Sequence, residues 1–184
     1  MTTPSGMPSM DDLRYPIGKL RRPAGALSDS ERGAMIDAIA ATPSALRHAI
    51  TGLDAAQLET PYRPGGWTVR QVAHHVPDSH LNAYIRFRRT LTEDNPTVNA
   101  YDETKWAELP DARWAPVEVS LSLLAALHDR WVRLLRKMSD AEFRRPLHHT
   151  ENGPMTLDGL LATYAWHGPH HTAHITKLRE RMGW

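Results

Sequence analysis

The sequence predicts an all-α protein, a bundle of four helices preceded by an extended N-terminal arm. Three observations carry that expectation. Four stretches place apolar residues at intervals of three and four, the stripe of an amphipathic helix. Connections bearing Pro and Gly separate them, and no stretch alternates as a convincing strand. At 184 residues the chain is long enough to bury such a core in one domain. Helices that each carry one apolar face satisfy it by packing together.

Residues 1–27 form the arm: they contain Pro4, Pro8, Pro16 and Pro23, and Tyr15 and Ile17 are its expected anchors. The domain occupies residues 28–184. Its first helix starts at Ser28-Asp29-Ser30-Glu31 and carries Met35, Ile36, Ile39, Leu46 and Ile50. Pro43 inside it predicts a kink, or a restart with Thr42 as the cap. The second helix has the clearest start, because Thr68 and Gln71 have the spacing of a capping box. Val69, Val72, Val76, Tyr84, Phe87 and Leu91 follow at helical spacing, with a bend expected at Pro77. Residues 95–116 read as a long loop whose Trp106 and Trp114 fold back onto the body. The third helix runs from Val117 to Met138 with Leu121, Leu124, His128, Trp131 and Leu135 on its stripe. A loop holding His148 and His149 leads to the fourth, from a Thr156 cap to Met182.

Composition excludes more than it assigns. Lys and Arg total 22 against 21 Asp and Glu, so no long-range field points to nucleic acid or to a charged membrane. There is no cysteine, hence no disulfide, no thiolate metal site and no thiol nucleophile. The first residues lack the apolar core of a secretory leader, and no run spans a bilayer, which makes a cytoplasmic location the expectation.

The anomaly is histidine, at 11 residues. Four of them fall within Trp166-His167-Gly168-Pro169-His170-His171-Thr172-Ala173-His174. At about 100° per residue, His171 lies on the stripe of Leu157, Leu160, Leu161, Tyr164, Ile175 and Leu178, with His167 at its edge. His174 lies further round and His170 points away. The same count on the second helix puts His75 beside Val72 and Val76 and His74 opposite them. An i, i+4 pair on one helix and a third imidazole from a facing helix make a three-histidine site. Three protein ligands leave a position open, the arrangement of catalytic sites. His128, on the third stripe, is a pocket-lining residue or a partner of a ligand, while His48, His80, His148 and His149 read as surface or loop residues.

Several motifs resemble the YfiT-like branch of the DinB superfamily. They are Tyr15-Pro16-Ile17-Gly18, Pro61-Tyr62-Arg63, Gly65-Gly66-Trp67-Thr68-Val69-Arg70-Gln71-Val72 with His74-His75, Asp78-Ser79-His80, Tyr84-Ile85-Arg86-Phe87 and Tyr101-Asp102-Glu103. Leu127-His128, Arg130-Trp131 and the segment from Trp166 to Trp184 continue the match. The resemblance implies an up-down-down-up bundle that holds one divalent metal through His75, His167 and His171. It also implies a metal-dependent hydrolase, or an S-transferase using bacillithiol or a similar thiol, and a homodimer.

The expected function is therefore an enzyme in which the metal activates a nucleophile, water or a low-molecular-weight thiol, against a small electrophilic substrate. Zinc is the first expectation for the metal and nickel the second, since imidazole suits both. Arg86 and Arg130 are candidates to receive a substrate carboxylate, and Asp78 to orient an imidazole or a water. The rival is a non-catalytic binding or sensor module stabilised by a metal. It would close the coordination sphere with His128 or His174 and leave no pocket beside it.

Overall fold

Helix starts fall where the sequence supplies a cap. The computed structural model describes residues 8–184, so Pro4 of the expected arm lies outside the described residues. Ser28 and Glu31 cap α2 (Asp29–Ile50) reciprocally, and Thr68 and Gln71 do the same for α4 (Val69–Thr92). In each, the hydroxyl accepts from an orphan amide of the first turn while the longer side chain accepts from the cap amide. Thr156 caps α9 (Leu157–Met182), and Gly183 ends it at φ 72°, a left-handed cap that glycine adopts without strain. Pro116 precedes α7 (Val117–Leu135). Short helices fill the connections: α1 (Met10–Arg14), α3 (Ala55–Leu58), α5 (Glu103–Trp106), α6 (Pro110–Trp114) and α8 (Asp140–Phe143).

Polar contacts between the long helices give their directions. Arg32, early in α2, grips Asp158 at the start of α9, and Arg179, late in α9, donates to the carbonyls of Ala49 and Thr51. These two helices run parallel. His74 meets Ser120 near the starts of α4 and α7, which are also parallel. Arg47 at the end of α2 pairs with Glu118 at the start of α7, so the two pairs oppose one another. The order is up-down-down-up. Where Gly168 of α9 faces α2, an added Cβ would lie 2.4 Å from Thr42 Oγ1 and 2.5 Å from its Cγ2.

Two apolar clusters fill the bundle. One contains Ile39, Phe87, Trp131, Leu161 and Tyr164; the other contains Leu46, Val72, Val76, Leu124 and Ile175. Histidines separate them on three helices. His80 falls between Val76 and Ala83, His128 between Leu124 and Trp131, and His167 and His171 between Tyr164 and Ile175. The bundle therefore has a polar layer at mid-height.

Four expectations are corrected. A three-stranded sheet is present, where no strand was foreseen: β1 (Thr97–Val98) pairs parallel with β2 (Pro146–His149), which forms a hairpin with β3 (Gly153–Thr156). Strands this short carry almost no alternation, and their pairing depends on the helices that bring the loops together. Pro43 neither restarts nor splits α2, which runs through it with Thr42 Oγ1 donating to the Ala38 carbonyl at 3.0 Å. Trp106 rests on Tyr101, with ring centroids 4.5 Å apart, but Trp114 is 76% exposed and does not fold back. The arm contains α1 and lies along α9: the Gly18 carbonyl accepts from Trp166 Nε1 at 3.1 Å, while Ile17 faces solvent. No helix among the described residues is long and apolar enough to cross a membrane.

Candidate metal centre

His75 on α4 and His167 and His171 on α9 converge. One ring nitrogen of each lies within 4.8 Å of the others, and the Nε2 atoms of His75 and His167 are 3.3 Å apart. His75 and His171 are buried and His167 is half-buried. Burial lowers the pKa of all three, His75 to about 3 and the other two well below the usual imidazole value, and the neighbouring imidazoles lower them further. All three are neutral at pH 7, the form that offers a lone pair to a metal.

Hydrogen bonding directs one of those lone pairs. A carbonyl only accepts, so His128 Nδ1 donates to Ile39 O at 2.8 Å. With His128 neutral, its Nε2 accepts from His80 Nδ1 at 2.8 Å, and His80 Nε2 accepts from His167 Nδ1 at 3.1 Å. The Nε2 of His167 is then unprotonated and faces His75. Two unprotonated imidazole nitrogens at this separation repel each other unless a proton or a cation lies between them. The donor set, three neutral imidazoles with one lone pair directed inward, fits a divalent metal of the zinc or nickel type.

The cluster opens onto a cavity of about 530 Å³ lined by residues that include Trp67, Arg86, Tyr101, His149 and His174. Trp67 covers His75 at 4.5 Å between centroids. Arg86 is buried, its guanidinium donating to Tyr164 Oη at 3.3 Å and to the Asn99 carbonyl at 2.6 Å. Burial raises the pKa of the Tyr101 phenol, so it remains a donor at pH 7.

Residues 38–175 match the sequence profile of the DinB superfamily. The chain belongs to the DinB superfamily. Within it, the chain is YfiT-like: it is 45% identical to YfiT from Bacillus subtilis, described as "a probable metal-dependent hydrolase with an unusual four-helix bundle topology". That structure superposes with a TM-score of 0.91, covering 94% of this chain and 99% of YfiT. A "putative metal-dependent hydrolase" of Bacillus mycoides is 52% identical over 95% of this chain and all of its own length. One from Bacillus cereus is 51% identical over the same shares. A further solved four-helix bundle protein, 21% identical at a TM-score of 0.53, shares the fold.

Other expected residues of this DinB member lie further out. His128 is buried beyond His80 and touches none of the three converging nitrogens. His174 borders the cavity, stacked on Tyr62 at 3.9 Å with Nε2 at 3.1 Å from the Arg14 carbonyl. Asp78 does not line the cavity, and among the described residues its carboxylate bonds no imidazole; burial raises its pKa to about 6. Arg86 faces the cavity as expected of a carboxylate receiver, but Arg130 is exposed on the outside of α7, over the Tyr84 ring at 5.8 Å.

Two histidines read as surface or loop groups belong here instead. His80 is fully buried and holds His167, and His149 is buried on β2 at the cavity wall. His80 stands four residues after Val76 and seven before Phe87, on the same stripe, so the helical spacing itself places it inside. From Gln71 to Pro77 every residue of α4 is buried, because residues 107–116 cover the flank that α7 and α9 leave open. His74 is held there by Ser120 and Ala115. His170 likewise lies under the arm, stacked on Trp166 at 4.0 Å. An imidazole on the apolar stripe of α7 requires a buried polar partner, and that requirement is a second signal for His80.

Proposed function

We propose that this DinB-superfamily chain is a metal-dependent hydrolase-type enzyme acting on a small electrophilic substrate, with one divalent metal held by His75, His167 and His171. The observation that carries the reading is the convergence of three neutral ring nitrogens beside a polar cavity. A bound divalent ion supplies Lewis acidity, making a nucleophile, water or a low-molecular-weight thiol, available near neutral pH.

The protein's own groups divide the remaining work. All three imidazoles line the cavity, and among the described residues no fourth possible ligand joins their cluster. Arg86, pinned by Tyr164 and Asn99, presents a fixed positive charge to a substrate carboxylate. The Tyr101 hydroxyl offers a neutral donor in the same cavity. Trp67 shields His75 from bulk water.

The non-catalytic alternative requires His128 or His174 as a fourth ligand and no adjacent pocket. Both nitrogens of His128 are occupied, by Ile39 O and His80, and His174, stacked on Tyr62 with Nε2 bonded to the Arg14 carbonyl, is not among the converging imidazoles. We also propose a homodimer, for which the exposed Trp114 is the candidate anchor. The experiment is a screen of zinc- and nickel-loaded protein against esters, amides and alkylating electrophiles, each with and without bacillithiol. Turnover that disappears in His75→Ala and His171→Ala supports the enzyme reading, and thiol dependence separates transfer from hydrolysis. Absence of turnover with every metal and nucleophile contradicts it.

A further inference from the structure

The helix-breaking residue of α2 and the buried histidines share an unused bond. Pro43 has no amide hydrogen, so the carbonyl four residues earlier, at Ile39, has no helical partner. Elsewhere such an orphan would be solvated or would cost stability. Here His128 Nδ1 donates to it at 2.8 Å, from the facing helix.

We infer that His80 and His128 are positioning residues for the metal site, and that Pro43 anchors them by freeing the Ile39 carbonyl. The chain is Ile39 O, His128, His80 and His167, at 2.8, 2.8 and 3.1 Å. Its direction is set at one end, because a carbonyl oxygen cannot donate. Each neutral imidazole then has one assigned tautomer, Nδ1–H with Nε2 unprotonated. The last, His167, has its Nε2 lone pair committed to the cluster before any metal arrives.

Among the described residues, His167 alone of the three has its second ring nitrogen held by protein: neither His75 nor His171 makes such a bond. A ligand imidazole whose outer nitrogen is held gains orientation and basicity. In this bundle the holder is an imidazole, and behind it another, instead of a carboxylate. The arrangement holds His167 without adding negative charge to the site. The rings support the geometry: the planes of His80 and His128 lie within 20° of each other with centroids 4.9 Å apart, as an in-plane N–H···N bond requires, and Trp131 and Tyr164 close on His80 edge-on at 5.9 and 5.1 Å.

This inference rests on the metal reading for its purpose but not for its geometry, and the test separates the two. Long-range proton–nitrogen spectra of the metal-free protein report the tautomer of each histidine. His128, His80 and His167 should all show protonated Nδ1 and unprotonated Nε2. In His80→Gln the amide oxygen can accept from His167 Nδ1, so the His167 tautomer should persist and zinc affinity should stay close to that of the parent. In His80→Phe the His167 tautomer should become mixed and zinc affinity should fall about ten- to a hundredfold. Pro43→Ala restores an amide donor to the Ile39 carbonyl and should move the Nδ1 proton resonance of His128 upfield. A His167 protonated at Nε2 in the parent overturns the inference, as does a folded His80→Phe protein that keeps both tautomer and affinity. If the tautomers are as stated but the parent binds no divalent ion, the relay stands and the metal reading fails.

Discussion

Gly168→Ala offers a test with a sign. In an ordinary helix interior this change is stabilising by roughly 1 kcal/mol, because glycine is a poor helix former. Here the new methyl would sit 2.4 and 2.5 Å from Thr42 Oγ1 and Cγ2 and 3.0 Å from its Cβ. Thr42 is buried, β-branched and followed by Pro43, so it cannot turn aside without moving α2. Overpacking of this kind costs typically about 1–3 kcal/mol. The net expectation is destabilisation of about 1 kcal/mol or more, with α9 displaced beside His167 and His171 and a weaker metal site. Urea unfolding of the metal-free protein measures the first effect, and zinc competition titration the second. Thr42→Ala removes the two atoms in closest conflict, so the double variant should recover stability, with a coupling energy of about 1 kcal/mol. A Gly168→Ala protein that is more stable than its parent, with no coupling to Thr42, would refute the close approach of α2 and α9.

Further outcomes follow from buried charge and exposed surface. Arg32→Met leaves the Asp158 carboxylate buried with the Leu27 amide as its remaining partner, and should cost about 3–5 kcal/mol in urea unfolding; a loss below about 1 kcal/mol would count against it. Burial holds His75 and His170 at about 3 and His128 and His174 at about 4. The unfolded chain therefore takes up protons that the folded chain refuses as pH falls below the ordinary 6.5. Each such group removes roughly 1 kcal/mol per pH unit down to its folded value, so the metal-free urea midpoint should drop steeply between pH 7 and 5; an unchanged midpoint would contradict neutral burial. Trp114→Arg should shift the protein from dimer to monomer in sedimentation, whereas a parent that is already monomeric removes the basis for a dimer.

The bundle and the convergence of His75, His167 and His171 were legible in the sequence for one physical reason: long helices repeat their signal. The Thr68–Gln71 cap marked the start of α4 to the residue, the stretch from Ser28 to Glu31 located the start of α2, and the α9 stripe separated His171 from His170 across Pro169. The sheet was not legible, because Thr97–Val98 and Pro146–His149 are too short to show a period and meet only through tertiary packing. His80 was legible in principle, since it stands on the stripe between Val76 and Phe87, whereas His149 was not, because β2 is too short to show a face and is held against the cavity by its partners. Arg130 was misplaced because a charged residue's presence on a helix does not say which face it takes, and α7 carries it to the surface.

The central claim, one divalent metal between three histidines, is tested most directly by metal titration of stripped protein and its single-site variants. Zinc or cobalt should bind at one equivalent per chain, and His75→Ala, His167→Ala and His171→Ala should each bring metal content to background. His74→Ala, held by Ser120 and Ala115 outside the cluster, and His170→Ala, stacked on Trp166, should remain near the parent. Retention of metal in His171→Ala, or its loss in His170→Ala, would contradict the account.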